Sequence, residues 1–147
     1  MQEEQNHLQV TSALLFRDKR REREMPKMVE LPSGNVFKIG RPDIVKLIRE
    51  GIIPADLAIA AQAAVPENGG KIKLDGKMFQ DYLKMRDLIT VASVVEPKVK
   101  DRDVTDEEYN QGIISVYDID ADDKEFISVY VNTGDTDLEQ FRSKQEG

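Results

Sequence analysis

Four aspartates between positions 118 and 123 are the residues whose type and spacing best suit a metal ion. Carboxylate oxygens are the ligands that calcium prefers, and spaced acidic residues open the twelve-residue loop of EF-hand proteins. That loop requires glycine at its sixth position and glutamate at its twelfth, and counting from Asp118 these positions hold Asp123 and Val129. The aspartates therefore predict the first turn of a helix, where carboxylates complement the exposed N–H groups.

The other chemically versatile residues have no partners for a catalytic or metal site. His7 is the only histidine, and the absence of cysteine excludes disulfides, thiolate zinc sites and cysteine nucleophiles. The glycines in the segment 67–71 lack the GxxxxGK[ST] spacing of a phosphate-binding loop. We therefore predict a protein that is not an enzyme and has no catalytic, cofactor-binding or metal-binding residues.

Charge is distributed unevenly along the 147 residues. Residues 1–28 carry six basic and five acidic side chains, residues 29–100 carry eleven and nine, and residues 101–147 carry four and fourteen. Because an acidic end repels a phosphate backbone, nucleic acid is not an expected partner. The acidic start of the chain and its lack of a long apolar run argue against a signal peptide or a membrane span.

The first elements are predicted from turn and cap residues. Residues 1–28 form a polar arm with helical character that stops at Pro26. A β-hairpin is expected around Pro32–Asn35, because a turn-forming tetrapeptide lies between two short runs of β-favouring residues. Two short helices follow, one from Pro42-Asp43 to Gly51 and one from Pro54 to Val65-Pro66.

The longest helix should run from about Asp75 to Ser93 and end before Glu96-Pro97. Thr105 and Glu108 have the spacing of a capping box, so a short helix is expected up to Gly112. Ile113–Ile119 alternates as a strand does, and a helix from Asp120 to Asn132 should close at Gly134, with Phe126, Ile127 and Tyr130 on its inner face. A strand over Ile127–Val131 is the alternative.

The inner face of the longest helix is predicted at Phe79, Tyr82, Leu83, Arg86, Ile89 and Thr90, widened by Met78, Met85 and Leu88.

These elements predict an α+β, mainly α-helical fold in which an N-terminal β-hairpin packs on a small helical bundle. We expect a helical arm over residues 1–28, one globular domain over 29–134, and a short acidic helix or tail over 135–147 anchored by Leu138 and Phe141. Apolar side chains on the helices are candidates for binding a partner protein, with a place in the core as the alternative for each. These candidates are Ile44, Leu47, Ile52, Ile53, Leu57, Met78 and Met85.

The order of several short motifs resembles the "LPSG…RPD…L…G.IP..L" opening of tail assembly chaperones from tailed bacteriophages. Later steps are also similar, namely Val95-Glu96-Pro97, the helix start at Asp123-Lys124, and Gly134 followed by Leu138 and Phe141-Arg142. The sequence departs from that pattern at Tyr130–Thr133, where those proteins have an aromatic-alanine pair. The residues that carry the opening are Leu31-Pro32-Ser33-Gly34, Arg41-Pro42-Asp43, Leu47-Ile48, Gly51-Ile52-Ile53-Pro54 and Leu57.

The resemblance implies a non-enzymatic protein of the host cytoplasm that coats a helical tape measure protein and helps to bring in tail tube subunits. No cofactor, nucleic acid or membrane is implied, and the protein could form oligomers. A second hypothesis is a structural virion protein, such as a capsid-associated or head-tail component, whose N-terminal arm contacts neighbouring subunits. A DNA-binding regulator is a third class, which the acidic charge disfavours.

Overall fold

The computed structural model describes residues 8–63 and 76–138, and six α-helices and five β-strands lie wholly within them. This is the α+β, mainly helical fold that the sequence predicts, with a helical arm ahead of a β-hairpin. The helices are α1 (Ala13–Glu24), α2 (Ile44–Arg49), α3 (Ala55–Ala63), α4 (Gly76–Ser93), α5 (Asp106–Asn110) and α6 (Ala121–Thr133). The strands are β1 (Lys27–Glu30), β2 (Val36–Ile39), β3 (Val94–Glu96), β4 (Lys98–Lys100) and β5 (Ile113–Ser115).

The hairpin forms where the turn residues place it. Strands β1 and β2 pair antiparallel with Val29 opposite Phe37, and the turn closes with hydrogen bonds from Leu31 N–H to the Asn35 carbonyl and from Gly34 N–H to the Leu31 carbonyl, both 2.8 Å. Gly34 adopts a φ of 92°, which glycine tolerates at no steric cost. Side chains on one face of the hairpin enter the core, while Met28 and Val36 on the other face are exposed.

Strands β3 and β4 differ from the prediction, in which Glu96-Pro97 only ends the longest helix. Helix α4 ends at Ser93, and Val94–Glu96 then pairs antiparallel with β2, which makes a three-stranded sheet in the order β1-β2-β3. Strand β4 pairs in parallel with β5. The valines at 94, 95 and 99 have the branched side chains that suit strands, but runs of three residues are too short to show a period.

Helix α2 begins and ends close to its predicted signals, and helix α3 begins close to its own. The Asp43 carboxylate caps α2 by accepting from the N–H groups of Val45 and Lys46, so Pro42 lies before the cap and not in the first turn as predicted. Gly51 follows α2 with a φ of 76°. Helix α3 starts one residue after Pro54, and its predicted end at Val65-Pro66 lies outside the described residues.

The inner face of α4 differs at one end from the prediction. Met85, Ile89, Thr90 and Ser93 are buried, whereas Phe79 is 47% exposed, so the placement of Phe79 on the core face was wrong. The buried Thr90 and Ser93 hydroxyls have hydrogen-bond partners, because they donate to the carbonyls of the preceding turn. The predicted cap Asp75 lies outside the described residues.

The segment after α4 is organised by two capping boxes. Thr105 and Glu108 form the predicted box at the start of α5. A second box, which the sequence analysis missed, joins Ser115 and Asp118 and turns Val116–Asp118 into a 3-10 helix. Strand β5 therefore ends at Ser115, four residues earlier than the predicted strand end at Ile119.

Helix α6 is the central helix of the core. Phe126, Ile127 and Tyr130 are at most 3% exposed, as the predicted inner face requires, and Gly134 closes the helix in the left-handed conformation. Asp120 occupies the N-cap position, but its side chain makes no cap hydrogen bond.

The buried hydrophobic residues form one core cluster that runs from Val29 to Val131, inside the predicted range 29–134. Leu138 packs against that cluster, and Phe141 lies outside the described residues. Within the described part of the chain, no helix combines the length and the apolar character that crossing a bilayer requires.

Candidate protein-binding surface

The LPSG turn holds the N-terminal end of α6. Asp123, in the first turn of α6 and 2% exposed, accepts a hydrogen bond of 3.0 Å from the Ser33 N–H and one of 2.5 Å from the Ser33 hydroxyl. A carboxylate at this position also complements the helix dipole. The serine of the motif therefore fixes where α6 begins relative to the hairpin.

The RPD segment holds the opposite end of α6. The Arg41 side chain donates from Nε to the Val131 carbonyl at 3.3 Å and from Nη2 to the Asn132 carbonyl at 3.5 Å, and it lies over the Tyr130 ring at 6.0 Å from the centroid. These carbonyls belong to the last turn, where they have no partner within the helix. A Cβ atom at Gly134 would lie 2.7 Å from Arg41 Nη1, so glycine leaves room for the guanidinium.

Polar side chains join α4 to α6 along one line. The Tyr82 hydroxyl donates to both carboxylate oxygens of Glu125 at 2.6 and 2.7 Å, and Arg86 Nη1 lies 3.3 Å from the same carboxylate. Lys124 pairs with Asp87 at 2.9 Å, and both side chains are largely buried. Burial and the neighbouring Glu125 carboxylate raise the pKa of the Tyr82 phenol well above its ordinary value, so this hydroxyl remains a hydrogen-bond donor at neutral pH.

Beside this line the helices leave a concave apolar space of about 490 Å³, which we call the groove. Its lining residues come from helices α2, α4 and α6, with Ala58 from α3. Val45 is 57% exposed at its edge. Ligand pockets in proteins have volumes of this order and a similar mixture of apolar walls and few polar groups. The lining residues are Ile44, Val45, Ile48, Ala58, Tyr82, Met85, Arg86, Ile89, Glu125, Ser128, Val129 and Asn132.

Two polar atoms of the groove walls are buried without a hydrogen-bond partner among the described residues. They are Arg86 Nε and Ser128 Oγ. Buried polar atoms nearly always have a partner in folded proteins. Because each atom has almost no accessible surface, neither is available to a molecule that lies in the groove. Within the described ranges no base lies within hydrogen-bond distance of Ser128 Oγ, so no nucleophile-base pair forms there.

A second apolar surface lies on α1, where Leu14, Leu15 and Phe16 are 64%, 48% and 66% exposed. We call these three residues the arm tip. Helix α1 has no buried residue at all. The sequence analysis identified the arm but assigned no role to these side chains, although three consecutive large apolar residues ahead of a charged run were a visible signal.

The seven predicted binding residues are divided between core and surface. Ile53 is fully buried and Met85 is 8% exposed, so both belong to the core, although Met85 also reaches the groove wall. Of the others, Ile44 lines the groove, Leu47 and Leu57 are partly buried against the core, Met78 is half-buried and Ile52 is 49% exposed. Sequence periodicity did not indicate Val45. The predicted apolar face of α2 is defined by Ile44 and Ile48, and Val45 does not belong to that face.

Two of the four aspartates at 118–123 serve as structural partners. The Asp118 carboxylate accepts from the Tyr109 hydroxyl at 2.6 Å and from the Ser115 N–H at 2.9 Å, and Asp123 is bound to Ser33. The part of the chain that the structure describes contains no group of three or more acidic, histidine or cysteine side chains placed to hold a metal ion.

A family model described as "Family of unknown function (DUF7391)" matches residues 17–147, and the chain therefore belongs to this family. No curated protein and no solved structure matches the chain. The matched range begins inside α1, so the arm tip precedes it.

Proposed function

We propose that this member of the family is a tail assembly chaperone of a tailed bacteriophage, which binds an apolar helical client in the groove. The client would be the tape measure protein, and the bound chaperone would assist assembly of the tail tube without catalysing a reaction. The order of the LPSG, RPD and GIIP motifs supports the phage assignment by resemblance. The groove supports the mode of action.

The observation that carries the proposal is the shape and lining of the groove. An amphipathic helix is commonly recognised by laying its apolar face into a groove between helices of the partner. Here Ile44, Val45 and Ile48 on α2 face Met85 and Ile89 on α4 across such a groove. Exposed apolar surface of this kind marks interaction sites in soluble proteins, and a flexible methionine in its wall can adapt to different side chains.

Co-purification from infected cells tests the proposal. Tagged wild-type protein should retain the tape measure and tail tube proteins, and the variant Val45→Asp should lose them because a carboxylate in an apolar groove has no partner. Val36→Asp is the matched control, since Val36 is 52% exposed on the hairpin and lies away from the groove. Equal retention by the two variants would exclude the groove as the client site.

A structural virion protein is the second candidate, and the exposed arm tip favours it. An N-terminal helix with no buried residue could lie across a neighbouring subunit in a particle. Mass spectrometry of purified particles separates the two candidates. An assembly chaperone should be absent from mature particles, whereas a structural component should be present at a fixed copy number.

A further inference from the structure

We infer that the arm tip of one copy binds in the groove of a second copy, so that free molecules protect one another's client site. This inference rests on the groove being the protein-binding surface proposed above. In the absence of a client, the arm tip of another copy would occupy the groove. Helix α1, which does not pack against the rest of its own molecule, would thereby have a role.

The exposure of α1 is the first argument. An isolated helix of about 12 residues is marginal in water, and most helical stability in proteins comes from packing an apolar face. Helix α1 buries none of its residues, although Phe16 alone offers a large aromatic ring. A partner surface is therefore expected to complete the packing of this helix.

The position of the tip indicates that this partner is not the groove of the same copy. Helix α1 leaves the body beside Gly40, where the Glu24 carbonyl lies 3.5 Å from the position that a Cβ atom on Gly40 would take. The tip is eight to ten residues further along the helix, about 12–15 Å at 1.5 Å per residue. All three tip residues are exposed, so none of them is buried in the molecule's own groove.

The groove has the complementary properties. Its walls are mainly apolar, and its edge residue Val45 is more than half exposed.

Charge favours the same pairing. Behind the tip, residues 17–24 carry five basic and three acidic side chains, whereas residues 29–147 carry 15 basic and 23 acidic ones. The arm is therefore attracted to the body of another copy over several ångströms at physiological salt. At the groove itself the Glu125 carboxylate is already paired with Arg86, so the attraction acts through the charge of the whole body.

An arm that enters the groove of the next copy makes a heterologous contact, because the two surfaces differ. The resulting pair of copies retains one free groove and one free arm, so the contact propagates into chains or closed rings. A client helix that enters the groove displaces the arm. Self-association and client binding should consequently compete.

Light scattering on purified full-length protein tests the inference with two variants on different surfaces. The wild type should show an average mass that rises with concentration. Phe16→Asp on the arm and Val45→Asp in the groove should each weaken self-association at least about tenfold. Because α1 has no buried residue, Phe16→Asp leaves the core intact. Phe79→Asp and Val36→Asp are the matched controls, and both should behave as wild type.

Mixing the two variants gives the sharpest result. Phe16→Asp retains an intact groove and Val45→Asp an intact arm, so an equal mixture should form a heterodimer and nothing larger. A wild type that is monomeric at every concentration would overturn the inference. So would an effect of Phe16→Asp without an effect of Val45→Asp, since that result would mean that arms pair with arms.

The same variants separate this inference from the proposed function. Phe16→Asp should retain the client in co-purification at least as well as wild type, because it removes the competing arm. If Val45→Asp loses the client while self-association is unchanged in both variants, the groove is the client site but does not bind the arm tip of another copy. If neither variant changes the retention of the client, the proposed function is wrong, whatever the result for self-association.

Discussion

At the scale of single residues, local signals were predictable and distant partners were not. The capping box of Thr105 and Glu108 and the glycines after α2 and α6 act within a few residues, so their spacing identifies them. The roles of Asp123 and Arg41 depend on groups about 90 residues away, Ser33 and Val131. No spacing rule links such positions, and the sequence analysis could place Asp123 only in an acidic first turn.

The Ser33–Asp123 pair should contribute strongly to stability. Replacing Asp123 with alanine leaves the Ser33 N–H and hydroxyl without their acceptor in a nearly dry site, which should cost about 2–3 kcal/mol of unfolding free energy. The exposed neighbour Asp122 is the control, and Asp122→Ala should cost less than about 1 kcal/mol through the helix dipole alone. Urea denaturation measures both values, and equal losses would contradict the role of the pair.

A comparison of Gly→Ala substitutions at Gly134 and Gly51 separates the cost of backbone strain from the cost of crowding a neighbouring side chain. Both adopt nearly the same left-handed conformation, with φ of 75° and 76°, so Gly→Ala at either position costs about 1–2 kcal/mol in backbone strain. Only at Gly134 does the new methyl meet Arg41, which must then leave the α6 carbonyls. We expect Gly134→Ala to lower the unfolding free energy by about 1 kcal/mol more than Gly51→Ala. Identical values would exclude the Arg41 contact as a stabilising one.

Glu108 should make stability depend on acid pH. Its hydrogen bonds from the Arg102 side chain and from the Thr105 N–H lower the pKa of the carboxyl to about 2, from an ordinary value of 4.5. Because the folded pKa is the lower one, the stabilisation is fully present above about pH 4.5 and is lost as the pH falls toward 2. Glu108→Gln should remove this part of the pH dependence of the unfolding midpoint. A carboxyl titration by NMR near 4.5 in the folded protein would contradict the assignment.

At the scale of elements, the helices were predictable because their caps and apolar periods are long enough to be seen. Strands β3 and β4 were missed because a run of three residues is too short to show a period. The alternating sequence pattern predicts a longer strand than β5, which ends where the 3-10 turn at Val116–Asp118 begins. Phe79 illustrates a further limit. It has the spacing of the inner face of α4, but it lies near the helix start and remains 47% exposed.

The start of helix α1 and the residues before it should be removable with little effect on the stability of the body. Deleting residues 1–16 removes the arm tip but no buried side chain among the described residues. We expect the unfolding free energy to change by no more than about 0.5 kcal/mol, as for other changes away from the core. Thermal or urea denaturation measures the change. A loss of several kcal/mol would show that the arm packs on its own body.

At the scale of the whole molecule, the fold holds its central helix from both ends and leaves a groove beside it. Ser33 and Arg41 bind the two ends of α6, and the Tyr82–Glu125–Arg86 line ties α6 to α4. These contacts hold the groove wall in place, which under the proposed function would lower the cost of ordering the site on binding. Two of these contacts, those of Ser33 and Arg41, come from the motifs that resemble tail assembly chaperones. These motifs therefore shape the surface.

The central claim is that the groove binds an apolar helical client. The most direct test is the dissociation constant of the purified client for Val45→Asp and Val36→Asp, measured side by side by calorimetry. The account predicts that Val45→Asp binds at least about tenfold more weakly than wild type, a difference of about 1.4 kcal/mol, while Val36→Asp is unchanged. Equal affinities of the two variants would contradict it.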